Sequence, residues 1–99
     1  MILERRSHKF IGKDEDLVAL EKKYDDLEAK MPNVPPKRRY WAGYGALTYG
    51  AFVWEREWES LAAMEAYYAL TMNDPEWSAA GQGSSKLFGD VQSELYFSF

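Results

Sequence analysis

The chain contains no cysteine and a single histidine, His8. The missing cysteine removes disulfides, thiolate metal sites and a thiol nucleophile together. One histidine without cysteine argues against a transition-metal centre, and no cofactor is expected. Basic charge is also scarce, with 12 Lys and Arg against 16 Asp and Glu and a net charge of −4. That balance argues against non-specific binding to nucleic acid or to an anionic membrane. No apolar run approaches the ~20 residues of a membrane span, and no basic start precedes an apolar segment, so a cytoplasmic setting is expected. Gly43-Tyr44-Gly45 does not precede a helix and is no dinucleotide fingerprint. Gly81-Gln82-Gly83-Ser84-Ser85 lacks the lysine of a phosphate loop, and no serine sits in a nucleophile elbow.

Aromatic side chains, by contrast, are abundant: four Trp, seven Tyr and five Phe in 99 residues. The length predicts one domain, 1–99. A chain this short buries only about 60–65% of its unfolded surface, while each ring can bury roughly 150–250 Å². Some rings are therefore expected in a subunit interface or a ligand cavity.

Periodicity predicts the elements. Ile2 to Ile11 alternates as a strand, with Glu4, Arg6 and His8 on one face and Leu3, Arg5 and Ser7 on the other. Asp14 is a plausible N-cap, and Leu17, Leu20, Tyr24, Leu27 and Met31 form one helical stripe, ended by Pro32, Pro35 and Pro36. Arg38–Leu47 and Ala51–Trp58 read as hairpin arms around Thr48-Tyr49-Gly50, with Gly43 and Gly45 marking a bulge or a close approach of another group to the backbone. Ser60 caps a second helix with Leu61, Met64, Tyr68 and Thr71 inside and Tyr67 beside them. Asp74-Pro75-Glu76-Trp77 starts a fresh helical turn, Gly81–Ser85 reads as a loop, and Val91–Phe99 alternates as a last strand.

The order βαββαβ predicts an α+β, ferredoxin-like fold, a four-stranded antiparallel sheet with two helices on one face. The uncovered face is expected to carry Trp54 or Trp58, Tyr40 or Trp41, and Phe97. Such a patch needs a cover, and a second copy of the sheet predicts a homodimer.

Trp58-Glu59-Ser60-Leu61 entering the second helix, and Asp74-Pro75-Glu76-Trp77 after it, resemble the NIPSNAP-like branch of the dimeric α+β barrel superfamily. Ile2-Leu3-Glu4-Arg5-Arg6 resembles that branch's first strand, and the likeness spans nearly the whole chain. His8 departs from it, standing where many members have Tyr, and the hairpin after Gly43 is shorter. The resemblance implies paired ferredoxin-like subunits. It implies no single activity, since the superfamily includes cofactor-free monooxygenases, haem-degrading enzymes, lactone isomerases and polyketide cyclases. The second-helix histidine expected of the haem-degrading members is absent.

Glu4, Arg6 and His8 are the one acid, cation and imidazole group that a strand places together. His8 is the candidate general acid–base. Arg6 suits a carboxylate or an enolate oxygen, and Glu4 would orient either; the bland alternative is an ion pair that satisfies itself. Trp54, Arg56 and Trp58 form an aromatic, cationic, aromatic row, either a ligand wall anchored by Arg56 or subunit core. Trp77 is expected to pin the second helix, and Lys37-Arg38-Arg39 to be a solvated edge that deters strand addition, with steering of an anionic ligand as the alternative. Together these predict a dimeric barrel that binds a small lipophilic acid or keto compound. Arg6 and His8 would hold its polar end, with Tyr40, Trp54, Arg56, Tyr67 and Phe97 around its body. The enzymatic version is cofactor-independent oxygenation, isomerisation or cyclisation. The alternative is a non-catalytic dimer that serves structure or a protein partner.

Overall fold

Two-residue alternation along β1 (Ile2–Phe10) sends Ile2, Glu4, Arg6, His8 and Phe10 to one side of a sheet. The computed structural model describes residues 1–47 and 49–99, and Thr48, read as a turn residue, lies outside them. The remaining elements are α1 (Asp14–Glu28), β2 (Arg38–Trp41), β3 (Phe52–Trp58), α2 (Leu61–Met72), α3 (Pro75–Ser84) and β4 (Phe88–Phe97). The sheet is antiparallel in the order β2-β3-β1-β4, the ferredoxin-like arrangement. No helix among the described residues is long and apolar enough to cross a membrane.

Register decides what shares a face. Ile2, Glu4, Arg6 and His8 stand opposite Trp58, Arg56, Trp54 and Phe52 of β3. On the other flank they stand opposite Phe97, Leu95, Ser93 and Val91 of β4. Helices cover this face: Leu17 of α1 packs with Phe52 and Trp54, and Tyr67 of α2 packs with Ile2 and Trp58. Trp58 is 2% exposed, and burying its indole contributes about 4–6 kcal/mol of gross transfer free energy. Leu20 and Leu27 of α1 meet Ala80 of α3 and Leu87 in a third cluster.

Several expectations need correction. Trp54, Trp58, Trp41 and Phe97 all belong to the helix-side face, leaving Tyr40 alone of that set on the uncovered one. The uncovered face instead carries an ion ladder, Arg5–Glu55 at 2.6 Å and Arg38–Glu57 at 3.3 Å. The first hairpin arm ends at Trp41, because pairing stops where Ala42 donates to Ala51 O at 2.8 Å and Gly50 to Ala42 O at 2.7 Å. Gly43 and Gly45 thus lie in a loop, and Gly50 turns with a positive φ of 84°. Lys13 rather than Asp14 occupies the N-cap of α1, and Asp14, Glu15 and Asp16 act through the helix dipole. Ser60 caps α2 as expected, accepting from Ala63 N at 3.1 Å, but Leu61 is 40% exposed and outside its inner stripe.

A third helix replaces the expected loop. Asp74 caps it, accepting from Glu76 N at 2.8 Å, Pro75 takes the first position, and the helix continues through Gly81 and Gly83 to Ser84. Burial of Ala80 to 2% exposure against Leu20 and Leu27 outweighs the glycines' poor helical preference.

Candidate functional site

Between the sheet and its helices lies a cavity of about 450 Å³. Its floor is Arg6 and His8 of β1, Trp54 and Arg56 of β3, and the start of β4; its roof comes from α1, α2 and α3. The strand alternation that puts Arg6 opposite Trp54 therefore also puts a cation and an indole into one chamber.

His8 is 7% exposed, and its Nδ1 lies 3.1 Å from the carbonyl oxygen of Phe52. A carbonyl only accepts, so Nδ1 carries the proton and Nε2 is left with a lone pair. Burial pushes the imidazole below its ordinary value, and Arg6 and Lys37 add to that against the pull of the Phe52 carbonyl. The ring is a neutral base at pH 7, flanked by Phe88 at 4.5 Å and Phe52 at 5.6 Å.

Glu4 sits behind the cavity wall, 4% exposed. It accepts from Trp58 Nε1 at 3.0 Å and from the Tyr68 hydroxyl. Arg6 donates to the same hydroxyl at 3.2 Å and reaches Glu4 only at 3.7 Å. Its Nε is buried with no partner among the described residues. Burial raises the Tyr68 phenol well above its ordinary value, with Glu4 adding and Arg6 opposing.

Arg56 is 1% exposed and lies 2.6 Å from Glu28, which also accepts from the Tyr67 hydroxyl at 2.7 Å. Burial raises the Tyr67 phenol too, with Glu28 adding. Three cations surround the indole of Trp54: Lys37 at 4.8 Å, Arg6 at 5.4 Å and Arg56 at 5.6 Å from its centre.

Of the residues singled out in the sequence, Arg6, His8, Trp54, Arg56 and Tyr67 line this cavity together. Glu4 supports it from behind without lining it. Tyr40 stands on the opposite face, 47% exposed, and Phe97 is 65% exposed near the chain end; neither reaches the cavity. Trp77 lines it while stacking on Tyr24 at 5.4 Å.

Sequence reasoning missed Lys37, Glu21 and Tyr24. Lys37 is not a solvated edge: its side chain is 8% exposed, with Nζ 3.5 Å from Glu21 and 5.3 Å from the Tyr24 ring centre. The available signal was the two-residue step Lys37, Arg39, Trp41, which follows the face of Trp54 and Phe52 once Arg39 is paired with Trp54. No group of three or more His, Cys, Asp or Glu side chains converges as a metal site among the described residues.

No family model matches the sequence, and no curated protein matches it. Solved structures do. A NIPSNAP family protein from Agrobacterium tumefaciens superposes with a TM-score of 0.76 at 16% identity, over 97% of this chain and 90% of that one. A dimeric ferredoxin-like protein of unknown function from Thermobifida fusca gives 0.66 at 14% identity, over 97% and 90%. SnoaB, a cofactor-independent oxygenase from Streptomyces nogalater, gives 0.71 at 9% identity, over 99% and 92%. The chain has the ferredoxin-like fold of these proteins, and the resemblance in its motifs is met at that level.

Proposed function

We propose that the cavity binds a small, largely apolar molecule bearing a carboxylate or keto oxygen. The observation that carries this is Arg6, which lines a chamber of about 450 Å³, a size typical of small-molecule sites, while its side chain stays 36% exposed and its guanidinium donates to the Tyr68 hydroxyl at 3.2 Å. An anionic oxygen there accepts a charge-assisted hydrogen bond from the accessible part of the guanidinium. Trp54, Tyr24, Tyr68 and Trp77 bound the apolar body, and Arg56, held by Glu28, serves as wall.

In the catalytic version His8 is the base. Its Nε2 takes a proton from the carbon beside a keto group, or from a phenol, and Arg6 holds the oxyanion that results. This is the opening step of cofactor-independent isomerisation, cyclisation or oxygenation, the last being what SnoaB is described as performing on a similar scaffold. The protein would act in the cytoplasm as a homodimer, the state described for the Thermobifida fusca protein. The interface would differ from that suggested by the sequence, since of the rings expected on the uncovered face only Tyr40 lies there, and the exposed rings among the described residues include Trp41 on β2, Tyr44 and Tyr49 on the following loop, and Tyr96, Phe97 and Phe99 near the chain end.

Native mass spectrometry of the purified protein tests both parts. A dimer carrying an adduct of a few hundred daltons, on the order of what such a chamber holds, identifies the ligand class. Binding of that compound should weaken about 10- to 100-fold in Arg6→Gln, the worth of one hydrogen bond to a charged group. Unchanged affinity would refute the role of Arg6, and turnover that survives His8→Gln would refute that of His8. A bare dimer would favour the non-catalytic role.

A further inference from the structure

Lys37 differs from every other lysine of the chain. Lys9, Lys13, Lys22, Lys23, Lys30 and Lys86 are all exposed, whereas the Lys37 side chain is 8% exposed and its amine lies inside the cavity wall. Its carboxylate partner is a shared one. Glu21 Oε1 is taken by Arg39 Nε at 2.8 Å, which leaves Lys37 Nζ the longer contact of 3.5 Å to the same oxygen. Its other close neighbours are the faces of Trp54 and Tyr24. Rings attract a cation far less than water or a dedicated carboxylate does. The charged form of this amine is thus poorly compensated where it sits.

We propose that Lys37 is a covalent amine of the cavity, condensing with the aldehyde or ketone group of a ligand whose acid group Arg6 holds. This rests on the reading of the cavity as a ligand site and narrows its ligand to an oxo acid. Arg6 and Lys37 approach one indole, 5.4 and 4.8 Å from its centre, which caps their separation at about 10 Å, within the reach of one small molecule.

The step balances without an oxidant or reductant. The neutral Nζ attacks the carbonyl carbon, a C–N bond forms and the C=O π pair moves to oxygen. A proton passes from nitrogen to that oxygen, and the hydroxyl leaves with a second proton as water while C=N forms. Glu21, 3.5 Å from Nζ, is the group within reach that accepts the proton shed by the amine and returns it to the departing hydroxyl.

The groups facing the amine set its acidity. Glu21 and Glu28 of α1 favour the ammonium, while Arg56 of β3 and Arg39 of β2 oppose it. Burial is the largest influence, and the amine lies below its ordinary value. Each unit of lowering raises the neutral fraction near pH 7 about tenfold.

The test uses the intact protein with 4-carboxybenzaldehyde as probe and sodium cyanoborohydride to trap the imine, followed by peptide mapping. At pH 7 Lys37 should be modified faster than each of the exposed lysines. Its rate should also reach half-maximum at a lower pH than theirs. Modification spread over the exposed lysines, with Lys37 equal or slower, overturns the proposal. A parallel titration of 4-methylbenzoate, followed by tryptophan fluorescence, separates the two failures. If it binds while Lys37 stays unmodified, the covalent amine falls and the cavity reading stands. If it neither binds nor competes with the probe, the acid site at Arg6 falls as well.

Discussion

Glu28→Gln should destabilise the protein by about 3–5 kcal/mol, the usual cost of stranding one member of a buried ion pair. Arg56 is 1% exposed and ringed by Trp54, Trp58 and Tyr67, 5.2 to 5.6 Å from their ring centres. Its Nε already lacks a partner among the described residues. Glu4, directly across the sheet, is committed to Trp58 and Tyr68. Once the Glu28 charge is gone, the guanidinium has no second carboxylate paired with it among the described residues, and the Tyr67 hydroxyl loses its charged acceptor. For a domain holding roughly 5–15 kcal/mol in total, and losing about 4–8 °C of Tm per kcal/mol, that is a fall of more than about 10 °C. Urea unfolding at pH 7, followed by far-UV circular dichroism and tryptophan fluorescence, measures it. A second variant isolates the cause. Glu28→Leu combined with Arg56→Met removes both charges and should lie within about 1–2 kcal/mol of the parent, because an apolar pair of similar volume replaces a buried ion pair at little cost. A Glu28→Gln cost under about 1 kcal/mol, or a double variant as unstable as the single one, would refute the assignment of this pair as a buried, mutually dependent unit.

His8 is held below its ordinary value of 6.5, so the unfolded chain binds its proton first on acidification. The stability His8 contributes is complete above that value and is lost as pH falls toward the folded one, and His8→Gln should flatten the slope between pH 5 and 7 by up to about 1.4 kcal/mol per unit; an imidazole NMR titration with a midpoint above 6.5 would contradict this. The glycines should split by sign. Gly81→Ala, with open space around its Cβ inside α3, should stabilise by about 0.5–1 kcal/mol, whereas Gly12→Ala, whose Cβ would lie 2.4 Å from Leu87 Cδ2 and 3.2 Å from its Cα, should cost about 1–3 kcal/mol. Urea midpoints check both, and a destabilising Gly81→Ala would argue against a continuous third helix.

What was legible in the chain is what short-range chemistry specifies. The alternation of β1 and β3, the Ser60 and Asp74 caps and the prolines after α1 all act within a few residues, and together they determined the element order and hence the ferredoxin-like sheet. Alternation also grouped Glu4, Arg6 and His8 on one side of a strand and Trp54 and Arg56 on one side of another. Where a longer-range contact overrode local preference, the sequence misled. Gly81 and Gly83 read as loop until Ala80 found Leu20 and Leu27, and Asp14 read as a cap although its backbone is already helical.

Only the tertiary structure decided which face the helices cover, since a period of two says which side chains travel together and nothing about what lies above them. That choice put Trp54 and Trp58 inward, left a charged ladder outward and placed Tyr40 on the face away from the site, while Phe97 shares the helix-side face but lies at its exposed end. It also turned Lys37 from one more basic residue beside Arg38 and Arg39 into the cavity's buried amine, because its environment is built by Glu21 and Tyr24, more than a dozen residues earlier, and by Trp54, seventeen later. Burial and partner distance set a side chain's chemistry, and both are properties of the assembled fold.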